Sequence, residues 1–221
     1  MFKSLLKSIT TSFLNLIYCE KCLICSCAKT DELLCKSCLK DVELLSSFPQ
    51  KIYKEIPIFC ACLYKGNLKT LIQLLKFSHK KKASKPLASI LYSYYKNLNL
   101  NKNYIIVFPP SYYLKSAQRG YNHMFLIAKE FSKLTNFEIK KDLIKKIKPT
   151  KPQYKAKNRH TNIQGSFAIN KKYIEQIKNK NILIIDDITT SGATIEELIN
   201  CFLDVEIKNI TCLVLSKAGC W

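Results

Sequence analysis

The sequence predicts an α/β protein, a parallel sheet with helices on both faces, preceded by a small module that a metal ion holds together. Three observations carry this. Strand-like and helix-like apolar patterns alternate from Phe59 onward. The run Asn181–Ile185 is continuously apolar after its first residue, as strands buried on both faces are. Six of the eleven cysteines crowd between Cys19 and Cys38.

The elements follow in order. Phe2, Leu5, Leu6, Ile9, Phe13, Leu16 and Ile17 recur at helical spacing and predict an amphipathic helix whose stripe packs on the protein or a partner. Cys22-x2-Cys25, nine residues, then Cys35-x2-Cys38 sets two thiolate pairs on two tight turns, which suits tetrahedral Zn2+. Four sulfur ligands leave no open position for water, so the ion is structural, and a segment this short needs such a staple. Cys19 and Cys27 stand close enough in sequence to replace a ligand. The module spans residues 1–48, and the α/β domain spans 49–221. Phe48–Pro57 reads as a connector between them.

Beyond it the patterns give a strand from Phe59 to Tyr64, a turn at Gly66 and a helix carrying Leu68, Leu71, Ile72 and Leu75. A second helix follows Ser84. A strand at Tyr104–Phe108 leads through Pro109 and Pro110 to a helix with Met124, Ile127, Ala128 and Phe131 on one face. A strand near Leu143–Ile147 precedes a polar, basic segment ending near Gly165. The last unit is strand Asn181–Ile185, loop Asp186–Ala193, a helix to about Asp204 and strand Ile210–Leu215.

The chemistry concentrates where that last unit begins. Two adjacent carboxylates, Asp186 and Asp187, end a buried strand, and a hydroxyl-rich loop with Thr190, Ser191 and Thr194 enters a helix. Backbone N–H groups at a helix start, with hydroxyls and a glycine permitting close approach at Gly192, form a phosphate cradle. The carboxylates would then meet vicinal ribose hydroxyls and a Mg2+ carried by pyrophosphate. A Thr194/Glu197 capping box explains those two residues but not the acids and the other hydroxyls.

Composition sets the rest of the frame. With 48% hydrophobic and 24% charged residues the chain is of ordinary globular make-up, which excludes disorder and collagen-like repeats. No apolar run approaches the ~18 residues of a membrane span, and no secretory pattern opens the chain, so the reading is cytoplasmic. The net charge of +20 falls almost wholly on residues 49–221 and suits a polyanionic partner. Arg119 and Arg159 are the only arginines among the 36 basic residues, which points to planar anion recognition. Residues 140–159 are lysine-rich around Tyr154, and Lys145, Lys146, Lys148, Lys151 and Lys155 with Tyr154 predict a groove for single-stranded DNA. Lys76, Lys80, Lys81, Lys82 and Lys85 form a second cluster around His79. His79, His123 and His160 show no ligand spacing and read as polar surface or core residues.

These motifs together resemble the competence protein ComF family (ComFC-like), within the type I phosphoribosyltransferase-like proteins. The resemblance rests on the cysteine module, Leu75-Lys76-Phe77, Pro110 with Arg119-Gly120-Tyr121-Asn122, Thr150 and Gln153, Arg159-x2-Asn162-x2-Gly165-x-Phe167, and the acidic loop. It implies a type I phosphoribosyltransferase-like parallel sheet that binds phosphoribosyl pyrophosphate (PRPP) with Mg2+. Asp186 and Asp187 would hold ribose, Thr189, Thr190, Ser191, Gly192, Ala193 and Thr194 the 5-phosphate, and Lys115, Arg119 and Arg159 the pyrophosphate. Asp186, Asp187, Arg119 and Arg159 would be the catalytic set if the protein transfers phosphoribosyl groups to an acceptor. Lys115 stands where the family tends to have Arg, and His123 where Gln is usual. The implied role is the handling of single-stranded DNA in natural transformation, beside a competence helicase. The competing expectations are a nucleobase phosphoribosyltransferase of salvage metabolism and a non-catalytic PRPP sensor.

Overall fold

The computed structural model describes residues 20–27, 30, 32–100, 102–110, 120–148 and 159–219, the first two of the last stretch by backbone alone. The N-terminal helix and Cys19, Lys115, Arg119, Lys151, Tyr154 and Lys155 lie outside these residues.

After the cysteine turns comes the short helix α1 (Lys36–Lys40), then the hairpin β1 (Lys51–Tyr53) and β2 (Ile56–Leu63). Helix α2 (Gly66–Phe77) leads through a 3-10 turn at Lys81–Ala83 into α3 (Ser84–Asn97). Next are β3 (Tyr104–Val107), α4 (His123–Thr135), β4 (Glu138–Ile139), β5 (Ile144–Lys146), α5 (Arg159–Ile163) and β6 (Phe167–Ile169). Helix α6 (Ile174–Ile177), β7 (Asn181–Thr189), α7 (Ala193–Phe202) and β8 (Asn209–Lys217) complete the chain.

Six strands pair in the order β1-β2-β8-β7-β3-β4. Every pairing is parallel except the β1–β2 hairpin, so the expected parallel sheet is present with an antiparallel edge. Both faces are covered, because alternate side chains of each central strand enter different cores. Leu183 and Ile185 of β7 face a core shared with α2, α3 and α4, while Ile182 and Ile184 face one shared with α7. Helix α2 buries Leu68, Leu71, Ile72 and Leu75 at i, i+3, i+4 and i+7, one stripe of a 3.6-residue period. Helix α4 starts where Asn122 turns its side-chain oxygen onto the N–H groups of Met124 and Phe125, at 2.9 and 3.3 Å.

Four local readings change. The Phe48–Pro57 connector contains β1 and the start of β2, because Lys54 and Glu55, both at positive φ, close a tight hairpin between them. Strand β5, read as part of the alternation, pairs antiparallel with β6 in a separate two-stranded sheet. β7 runs on through the acids to Thr189, since β8 pairs with it as far as Lys217. The loop is thereby reduced to residues 190–192. The Thr194/Glu197 capping box is absent: Gly192 is the N-cap of α7, at φ +84°, and Glu197 accepts from the Gly165 N–H at 2.7 Å instead.

The cysteine module is not appended loosely. Cys22, Leu34 and Cys38 belong to the same buried cluster as α2 and α3, and Asn67 of α2 donates to the Cys38 carbonyl at 3.0 Å. Leu34→Ala should therefore lower the stability of the whole protein by ~2–3 kcal/mol, measured by denaturant unfolding of the metal-loaded form. A local effect on metal affinity with an unchanged global midpoint would contradict this packing.

Candidate functional site

β7 is the element that positions the acids. Its apolar run must be buried on both faces, and the strand therefore carries Asp186 and Asp187 into the protein at its carboxyl end, 8% and 4% exposed. Backbone bonds fix them there. The Asp187 N–H donates to Asp186 Oδ1 at 2.9 Å, and Ser216 Oγ of β8 donates to the Asp187 carbonyl at 2.9 Å.

Two cationic or proton-bearing groups converge on one oxygen. Lys76 Nζ, from the last turn of α2, lies 2.7 Å from Asp187 Oδ2, and His123 Nε2, the first residue of α4, lies 2.8 Å from the same atom. Burial would raise Asp187, but the Lys76 ammonium first and His123 second outweigh it and hold the carboxyl well below the usual carboxylate range. Asp186 moves the other way, pushed up by its burial and then by the neighbouring Asp187 charge. The pair thus splits into an ionised acid and one that favours its proton.

The loop that follows has the form of an anion seat. With Gly192 as N-cap and no capping side chain on it, α7 begins with N–H groups that the helix itself does not use. Ser191 Oγ approaches the Ala193 N–H at 3.4 Å, and Thr190, Ser191 and Thr194 are half-buried rather than packed away. Thr189, Gly192 and Ala193 are buried beneath them. Lys51 of β1 reaches this loop, paired with Glu196 and 3.4 Å from the Ser191 carbonyl.

Sequence reasoning named Lys76 in a motif of the resemblance and His123 as a departure from it, but gave neither a place at the acid pair, and it did not find Lys51. Lys76 groups by sequence with the exposed Lys80, Lys81, Lys82 and Lys85, yet it alone turns inward to the acid pair. The signal for His123 was its place directly after the Arg119-Gly120-Tyr121-Asn122 motif. Lys51 had no local signal, since it meets Glu196 across 145 residues of chain. Of the other expected residues, Arg159 opens α5. Lys145 and Lys148 are exposed on and beside β5, and Lys146 is half-buried.

The four cysteines read as ligands come together. The sulfurs of Cys22, Cys25, Cys35 and Cys38 all lie within 4.8 Å of one another, a set of thiol donors that could hold zinc. Cys35 caps α1 and accepts from the Cys38 N–H, and Cys22 accepts from the Cys35 N–H, each at 3.5 Å. Cys27 stands apart from the set and donates to the Cys25 carbonyl at 3.0 Å. Burial raises the Cys22 thiol, but the N–H groups of Cys35, Cys25 and Ile24 overcome this and bring it down to about 6.

Two predictions follow from these contacts. Asp187→Asn should cost about 3 kcal/mol at pH 7, because it leaves the largely buried Lys76 ammonium unpaired. A depressed pKa places that contribution above the unfolded carboxyl value of ~3.9, and it disappears as the pH falls through the folded value. Asp186→Asn should do the opposite. A raised pKa costs stability as the pH climbs above ~4, so this variant should be the more stable one near neutrality and equal wild type in acid. Urea titrations of both variants at pH 4.5 and 7.5 measure the two signs, and equal effects would refute the split. For the thiol set, elemental analysis of reduced, tag-free protein should find one zinc per chain. Cys22→Ser or Cys38→Ser should lose it while Cys27→Ser keeps it.

No family model matches the chain. The sequence is 25% identical over 159 residues to competence protein F of Haemophilus influenzae, a match covering 68% of each protein. Among solved structures, a hypothetical protein from Neisseria gonorrhoeae with bound ppGpp aligns at a TM-score of 0.38 and 12% identity, over 61% of this chain and 67% of that one. The hypoxanthine phosphoribosyltransferase of Trypanosoma cruzi aligns at 0.36 and 14%, over 63% and 65%. Acid pair, thiol set and parallel sheet sit in a chain whose sequence is similar to that of competence protein F.

Proposed function

We propose that the protein binds PRPP at the end of β7 and handles single-stranded DNA during natural transformation; of this, the name of its relative supports the link to competence alone. The supporting observation is the buried Asp186–Asp187 pair set directly before the start of α7, whose N-cap Gly192 brings no capping side chain. A pentose phosphate has the matching order of groups: vicinal hydroxyls for the carboxylates and a phosphate monoester for the N–H groups of the loop. The roles divide accordingly. Asp187, ionised and anchored by Lys76 and His123, accepts from a ribose hydroxyl, and Thr190, Ser191, Thr194 and the α7 N–H groups take the 5-phosphate. Hard carboxylate oxygens at this strand end suit Mg2+, to which Asp186 would offer its oxygens on giving up its proton; the ion would add positive charge at the pyrophosphate. Lys115, Arg119 and Arg159 are proposed for the remaining pyrophosphate charge.

The basic surface supports the second half of the reading. Exposed Lys145 and Lys148 adjoin the exposed Ile147, and Lys80, Lys81, Lys82 and Lys85 are exposed, with Lys81 lying 5.2 Å over the Tyr121 ring and Lys82 paired with Glu20. Cations interleaved with aromatic faces hold single strands without reading sequence. Lys151, Tyr154 and Lys155 are proposed to extend the first group.

Calorimetric titration with PRPP and Mg2+ tests the site: wild type should bind saturably, and Asp186→Asn with Asp187→Asn should lose binding while remaining folded. For DNA, affinity should fall with salt at a log–log slope of roughly −0.7 per phosphate contacted, and Lys145→Gln with Lys148→Gln should make the slope shallower. A folded double Asn variant with unchanged PRPP affinity refutes the first claim. A salt slope that ignores the lysines refutes the second.

A further inference from the structure

The start of α7 carries a charge that works against the ligand proposed for it. Glu196 lies in the first turn, 8% exposed, and folds back on the loop so closely that a Cβ on Gly192 would sit 3.1 Å from its Oε1. A carboxylate there is favourable to the bare helix end, yet it repels an anion seated on the same N–H groups. Lys51 answers it. Its ammonium pairs with Glu196, reaches the Ser191 carbonyl at 3.4 Å, and would lie 3.3 Å from the same Gly192 Cβ.

Lys51 is delivered by the edge hairpin and not by the site's own elements. The hairpin is bound along α7 at further points: Tyr53 Oη and Lys54 Nζ both donate to Asn200 Oδ1, at 3.3 and 3.0 Å. Two turns of helix separate Asn200 from the loop, so these contacts fix the level at which Lys51 crosses. Gly192 completes the arrangement. Its φ of +84° is unfavourable for other residues, and a Cβ there would crowd both members of the pair.

We propose that Lys51 is a positioning residue for the phosphate loop: it cancels the Glu196 charge and holds the Ser191 carbonyl, so that a sugar phosphate monoester can occupy the N-terminus of α7. The proposal rests on the phosphate role given to this loop above. A charge-cancelling residue has a signature that packing does not have, because removing the opposing charge should rescue its loss.

The test is calorimetric binding of ribose 5-phosphate, and of PRPP with Mg2+, to four proteins whose folding is checked by thermal melting. Lys51→Met should weaken ribose 5-phosphate by about tenfold. Glu196→Gln should tighten it by roughly two- to threefold, since Lys51 then acts unopposed. Lys51→Met with Glu196→Gln should return to within about threefold of wild type. An unchanged Lys51→Met affinity, or a double variant as weak as Lys51→Met, overturns the role of Lys51 while leaving the phosphate site standing. If Lys51→Met does not fold, Glu196→Gln decides alone, and equal or weaker binding overturns the proposal. Wild-type protein that binds neither ligand overturns the phosphate site and this proposal together.

Discussion

Two carboxylates cannot lie side by side at the end of a fully buried strand unless something holds their charge, and here the Lys76 ammonium and the His123 ring do so at Asp187. Much of the architecture around the site serves this contact. Helix α2 has to end over β7 to bring Lys76 there, and α4 has to begin there to bring His123. Burial makes the contact strong, and it also means that neither helix can shift without leaving a charge unpaired in a poorly solvated place. The acid pair is thus a structural joint between three elements, in addition to the ligand-binding role proposed for it.

That dual character explains what could and could not be seen in the linear sequence. β7, α2, α4 and α7 were legible because each is a long periodic pattern, and a strand buried on both faces leaves an unmistakable apolar run. Asp186 and Asp187 were legible because two acids directly after such a run have no packing reason to exist. Their partners were not. Lys76 looks like any lysine in a lysine-rich stretch, and only the placement of α2 in three dimensions separates it from Lys80 and Lys82. β1 escaped notice because a three-residue strand between prolines has no period to detect, and β5 was assigned to the wrong sheet because pairing partners depend on topology.

The cysteine module teaches a similar lesson about spacing. The C-x2-C pairs pointed to the four converging thiols, since each pair is a local turn, but left Cys19 and Cys27 as alternatives. The neighbouring Cys27 could be separated from them only by seeing its sulfur directed to the Cys25 carbonyl. What spacing could not convey is that Cys22, Cys38 and Leu34 are also core residues of the adjoining helical layer.

The segment between module and sheet has a part of its own in solubility. β2 presents Ile56–Leu63 along one margin of the parallel sheet, and its backbone groups are met by the preceding chain. Leu45 N–H reaches the Ala61 carbonyl, Gln50 N–H the Ile58 carbonyl, the Gln50 side chain the Cys60 N–H, and β1 pairs with the start of the strand. An unprotected margin of this length and apolarity is a template on which another copy can add a strand. Residues 44–53 act as a sealing strip, and a fragment trimmed to the sheet and its helices would be prone to self-association for a reason unrelated to its charge, its metal or its ligand.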